Sequence, residues 1–234
     1  MNTLFNLYQS FLSSRIQTLG SFTEFGEDSI RYDFYTSLMK VYKLEPHQML
    51  LEQPIPKSQF EQSKREIIKG RGRKEDKPEY DLRVNAGGEL KQGLITEFGY
   101  FRNPEIASNQ DKPGKHGKLL NEIFRLALLK NYQPYSNYRC LFICVTDSEM
   151  IKYGTHGVRG PKAIPIQEDY FLNDTFLNTL TDTARNKIED RFYNKAKELN
   201  IIPTATRVIN INNPASPKID QWQIWAWEVN YKKN

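Results

Sequence analysis

At 234 residues the chain is long enough to bury a substantial core and suits a single domain. Its 33 Lys and Arg against 28 Asp and Glu leave a net charge of +5, a mild basicity that fits a polyanionic partner. No apolar run approaches the ~20 residues of a membrane span and no leader-like segment opens the chain, so a cytoplasmic protein without membrane contact is expected.

Leu4, Phe5, Tyr8, Leu12 and Ile16 recur at helical spacing and predict a first helix over 3–17. A second helix is expected over 27–41, with Ile30, Phe34, Leu38 and Val41 on one stripe. Glu27 and Asp28 stand at its start, where the helix dipole favours negative charge. A short extended segment follows at 49–55. Residues 57–77 then carry eight basic side chains, among them Arg71, Arg73 and Lys74, against four acidic ones. Such a stretch reads either as a solvated loop or as an arm that follows a phosphate backbone.

A hairpin comes next. YDLRVN rises, Ala86-Gly87-Gly88 turns, and LKQGLITEFGYF returns. Residues 103–117, rich in Pro, Gly, Asn and Asp, read as a loop, and KLLNEIFRLALLK as an amphipathic helix over 118–130. YRCLFICVTD is apolar on both faces and reads as a central strand. Cys140 and Cys144 would lie roughly 13 Å apart on it, too far to bridge, so both are expected as reduced core thiols. Helical patterns between 168 and 199 and two strands, TRVININ and QWQIWAWEV, complete the order. The expected architecture is α/β, one sheet with helices packed on it.

Strand alternation sets Glu97, Gly99 and Phe101 on one face and Thr96, Phe98 and Tyr100 on the other. A carboxylate at Glu97 is costly to bury without a metal or a basic partner. Asp81, on the opposite arm, gives two acids on adjacent strands. A divalent cation bound by one or two carboxylates supplies the charge neutralisation and activated water that phosphodiester hydrolysis needs.

PEYD followed by TEFGY, between an acid-headed helix and an amphipathic one, resembles the PD-(D/E)XK phosphodiesterase superfamily, which includes many restriction endonucleases. The resemblance covers roughly 27–147 and implies a restriction-endonuclease-like α-β-β-β-α-β core, a mixed central sheet flanked by helices, with 148–234 as a helical and β extension. It implies Mg²⁺, or Mn²⁺ in its place, held by Asp81, Glu97 and the carbonyl of Phe98, with Glu27 assisting. It implies double-stranded DNA as substrate and a homodimer. Arg71, Arg73, Lys74, Arg102, Lys115 and His116 are the candidate nucleic-acid contacts.

The family's lysine slot falls on Gly99. Three explanations stay open: a cation migrated from a neighbouring element, with Lys118 ahead of Lys115 and Arg102; loss of catalysis; or a lysine replaced on purpose. The rival reading is accordingly a non-catalytic nucleic-acid-binding module on the same fold. A third is a protein-binding scaffold that presents Trp222, Trp225 and Trp227, although alternating aromatics suit a core better. Asp81, Glu97 and Glu27 each have a plainer reading as well: ion pairs with neighbouring basic residues, or a helix-start acid.

Overall fold

The computed structural model describes residues 1–20, 26–61, 78–102, 111–156, 165–214 and 221–234. The stretch of the basic arm that holds Arg71, Arg73 and Lys74 lies outside the described residues. Helices α1 (Asn2–Leu19) and α2 (Glu27–Tyr42) precede β1 (Met49–Pro54), β2 (Glu79–Val84) and β3 (Leu94–Phe101). Helix α3 (Lys112–Asn131) leads to β4 (Arg139–Asp147) and α4 (Ser148–His156). The chain continues through β5 (Asp169–Phe171), α5 (Asp174–Leu177), α6 (Asp182–Arg185), α7 (Asp190–Glu198), β6 (Ile201–Asn213) and β7 (Trp222–Lys233).

All seven strands join one mixed sheet in the order β1-β2-β3-β4-β7-β6-β5. β3 and β4 are parallel, with α3 as the crossover, and every other neighbour pair is antiparallel. The predicted α/β class and the order helix, three strands, helix, strand are present. The extension does not stand apart, because β7 and β6 continue the sheet directly beside β4. Arg139 ties β4 to β7 through two contacts to Glu228, at 2.6 and 3.1 Å.

Each face of the sheet has its own core. α1 and α2 cover one face, where Phe5, Tyr8, Ile30 and Phe34 meet Leu82, Phe98 and Ile143. Arg15 grips Asp33 with two hydrogen bonds of 2.7 and 2.8 Å and pins α1 to α2. α3, with α6 and α7 behind it, covers the other face, where Leu120, Ile123 and Ala127 meet Ile95, Phe142, Trp225 and Trp227. Burial on both sides makes β4 a continuous apolar run, as its sequence implies. Cys140 and Cys144 are buried free thiols, and burial pushes the Cys140 thiol up to about 12, so neither is poised to react.

Two expectations change. α3 begins at Lys112 rather than at 118, because Asp111 caps its first turn by accepting from Gly114 N at 2.8 Å. Pro113 costs nothing there, since the first helical N–H groups have no intrahelical partner. The three tryptophans, by contrast, are buried in the two cores, as their alternation suggests, so they present no protein-binding face. The region expected to be helical, 168–199, also holds a short strand, β5, at the sheet edge.

Candidate active site

The antiparallel pairing of β2 with β3 runs from Val84↔Leu94 to Leu82↔Thr96, and the same register would set Asp81 opposite Glu97. There the ladder stops, and the Asp81 carboxylate replaces it: Oδ2 accepts from Phe98 N at 2.8 Å. A cleft of about 460 Å³ opens at this point. Asp81 and Glu97 lie in it with Glu27 and Arg31 from α2, Phe98 and Gly99 from β3, and Lys118, Glu122 and Arg125 from α3. Lys187 and Glu189, between α6 and α7, line the remaining side, so the extension completes the site. Gly117 makes this possible, because a Cβ there would come within 2.1 Å of the Ala184 carbonyl oxygen. Asn121 then clamps Glu189, accepting from its N–H at 2.9 Å and donating to its Oε1 at 3.2 Å.

Both acids line this cleft, and the Asp81 charge adds to the burial that raises Glu97. Glu97 is only 2 % exposed, and burial drives its carboxyl well above the usual range, against the pull of Arg125. Glu122 is raised for the same reason. Burial also raises Glu27, opposed by Arg31. Two guanidiniums hold this acid group together. Arg31 Nη2 lies 2.6 Å from Glu27 Oε1 and 2.9 Å from Asp81 Oδ1. Arg125 Nη2 lies 2.9 Å from Glu97 Oε1, and its Nη1 reaches Glu122. The Arg125–Glu97 contact is close but not aligned, so Glu97 Oε1 and Arg125 Nε are both buried without a hydrogen-bond partner.

Glu27, Asp81, Glu97 and Glu122 outnumber Arg31 and Arg125 at the Asp81–Glu97 end, while the whole lining, with Lys115, Lys118, Lys187 and Glu189, carries five acids and five bases. The donors suit a small hard ion: carboxylate oxygens, one of them under-satisfied, in a cleft that Phe98 of β3 also lines. Glu27 shares the cleft. Even so, among the described residues no three acidic, His or Cys side chains surround one point closely enough to hold a metal.

The slot at Gly99 is closed. A Cβ there would stand 2.8 Å from Phe142 Cζ and 3.2 Å from Phe101 Cε1, inside a packed pair of rings. A side chain at this position is excluded unless Phe142 moves. Lys118 is exposed on the cleft wall, as is Lys187, which the sequence did not suggest. Lys115 is half-buried, donates to the Arg102 carbonyl, and is lowered by burial. Arg102 packs over the Tyr100 ring.

His116 is a correction. It does not face the cleft: it is 1 % exposed, with Nε2 3.0 Å from the Tyr170 hydroxyl, and burial lowers it to about 4. A neutral imidazole sealed between two tyrosines cannot meet a phosphate.

Arg31, Glu122 and Arg125 were missed. The signal was present: Arg31 lies four residues beyond Glu27, an ion-pair spacing, and Glu122 and Arg125 interrupt the apolar stripe of α3. No family model, curated protein or solved structure matches this chain.

Proposed function

We propose that the chain is a Mg²⁺-dependent endonuclease on a restriction-endonuclease-like core, cutting double-stranded DNA. One observation carries the reading: Asp81 and Glu97, on adjacent strands, line one open cleft together with Glu27 and Glu122. Asp81, Glu97 and the Phe98 carbonyl would hold the ion, and Glu27 would support it through Arg31. The bound ion would neutralise a phosphate oxygen and lower the pKa of a water. Lys118 and Lys187 on the cleft wall would attract and seat the backbone, with Lys115 behind them. Cutting both strands calls for two such clefts, so the proposal includes a homodimer. Its expected compartment is the cytoplasm.

The test is supercoiled plasmid incubated with Mg²⁺ or Mn²⁺, then with chelator. Nicking that needs the metal and falls on the order of 10²–10³-fold in Asp81→Asn is the expected result. Cutting that survives Asp81→Asn, or that ignores the chelator, would refute the assignment.

A second reading rests on its own observation. Arg31 and Arg125 already neutralise part of the acid group, and phenyl rings close the lysine slot. Both suit a non-catalytic module that keeps the fold and binds nucleic acid. Inert protein that still retains duplex at low salt would favour it.

A further inference from the structure

Arg125 is the most confined cation of the cleft. Its side chain is 14 % exposed, and three groups surround it: Glu97 across the sheet, Glu122 one turn back on α3, and the Phe192 ring of α7 at 5.8 Å. Only the contact to Glu97 is badly aligned, and it leaves an unsatisfied atom on each partner. A buried guanidinium with an idle Nε and two further anchors can leave Glu97 without leaving the cleft. Of the other cations, Arg31, whose Nε is likewise unsatisfied, is held by Glu27 and Asp81, Lys115 is spent on the Arg102 carbonyl, and Lys118 is exposed on the wall.

We propose that Arg125, held on Glu97 in the metal-free protein, is released when a divalent cation takes that carboxylate and then binds a phosphodiester oxygen, so that it supplies the charge missing at Gly99. The inference rests on the nuclease reading and names the cation of that same site. The physical basis is exchange. A divalent ion offers Glu97 twice the charge of Arg125, and an O-donor pair suits it better than a guanidinium in poor alignment. Once freed, the planar fork of Arg125 presents several N–H groups in a geometry that fits phosphate oxygens. Glu122 and Phe192 keep it aimed. Metal binding would therefore create an anion site that the metal-free cleft lacks.

Ca²⁺ separates binding from cutting, because it is a larger and weaker polariser of bound water. Calorimetry with Ca²⁺ alone, and duplex affinity with Ca²⁺ against chelator, are measured for the full chain and for Arg125→Gln, Arg125→Lys and Lys118→Ala. Unmodified protein is expected to bind duplex about tenfold tighter with Ca²⁺, the worth of one charge-assisted hydrogen bond. Arg125→Gln should lose that tightening while binding Ca²⁺ itself about tenfold better, its competitor gone. Arg125→Lys, which keeps the charge and guards against misfolding of the glutamine variant, should recover part of the tightening. Lys118→Ala should weaken duplex binding equally with and without Ca²⁺. Full Ca²⁺-dependent tightening in Arg125→Gln, or no tightening in the unmodified chain despite bound Ca²⁺, overturns the role of Arg125 and leaves the nuclease reading standing. A chain that binds no divalent ion overturns both.

Discussion

His116 and Arg125 are buried polar side chains on one helix, and they have opposite fates. His116 sits where α3 is closed over by Tyr153 and Tyr170, and its hydrogen bond to the Tyr170 hydroxyl suits a neutral ring. Arg125 sits where β2 and β3 have parted. There it meets two carboxylates, the one on Glu97 keeps an oxygen without a hydrogen bond, and a cleft lies alongside. Burial is common to both, so burial does not mark the site. What marks it is charge kept buried without full satisfaction beside open space.

The sharpest way to break the comparison is to remove each group. Arg125→Leu leaves Glu97 and Glu122 buried without their cation, and should cost about 3–5 kcal/mol in urea unfolding. Adding Glu97→Leu to it removes the stranded charge and should restore a good part of that loss. If the double variant were as unstable as the sum of the singles, the pair would not be coupled.

His116 gives the next effect, and it has a sign. Its folded pKa of about 4 lies below the unfolded value of 6.5, so the neutral ring is what the fold accepts. Stability is complete above pH 6.5 and is lost as pH falls toward 4, by about 3 kcal/mol at the lower end. Glu97 and Glu122 act in the opposite sense, because their raised folded values make protonation favourable to the fold. The measurement is therefore the difference between the unmodified chain and His116→Gln across that window. His116→Gln should lack the acid-side loss; parallel curves would mean that the ring takes up its proton as readily in the fold as in the unfolded chain.

Much of this was legible in the sequence, for physical reasons that differ by element. Strand periodicity put Glu97 and Gly99 on one face, and Gly99 does face Phe142 and the α3 core. The apolar run of β4 and the stripe on α2 were equally direct. What the sequence could not carry was convergence from separate elements. Lys187 and Glu189 enter the cleft only because Gly117 lets α6 approach α3, and no spacing in the chain encodes that. His116 misled because GKHGK looks like a basic loop. One turn of helix carries it inside.

Gly99→Ala tests the closed slot. Its Cβ would press on Phe142, a fully packed ring, and overpacking of this kind costs roughly 1–3 kcal/mol. Gly99→Lys should destabilise at least as much and bring no gain in plasmid nicking. Strong metal-dependent nicking after Gly99→Lys would show that the ring yields and that the slot is a true vacancy.

The smallest effect concerns the start of α3, which carries the cleft's Lys118, Glu122 and Arg125. Asp111→Ala removes the side chain that accepts from Gly114 N, and should cost about 1 kcal/mol. Gly114→Ala is the more telling partner. In an ordinary helix interior that change stabilises by about 1 kcal/mol. Here the new Cβ would lie 2.0 Å from Asp111 Oδ2, so it must push the capping carboxylate away. Gain and loss are of similar size, and Gly114→Ala is expected to be close to neutral in the unmodified chain. In the Asp111→Ala background no carboxylate remains to be displaced, and the same change should recover about 1 kcal/mol. Urea unfolding of the four chains reads that cycle; simple additivity would mean that residues 112–117 are helical for some reason other than this cap.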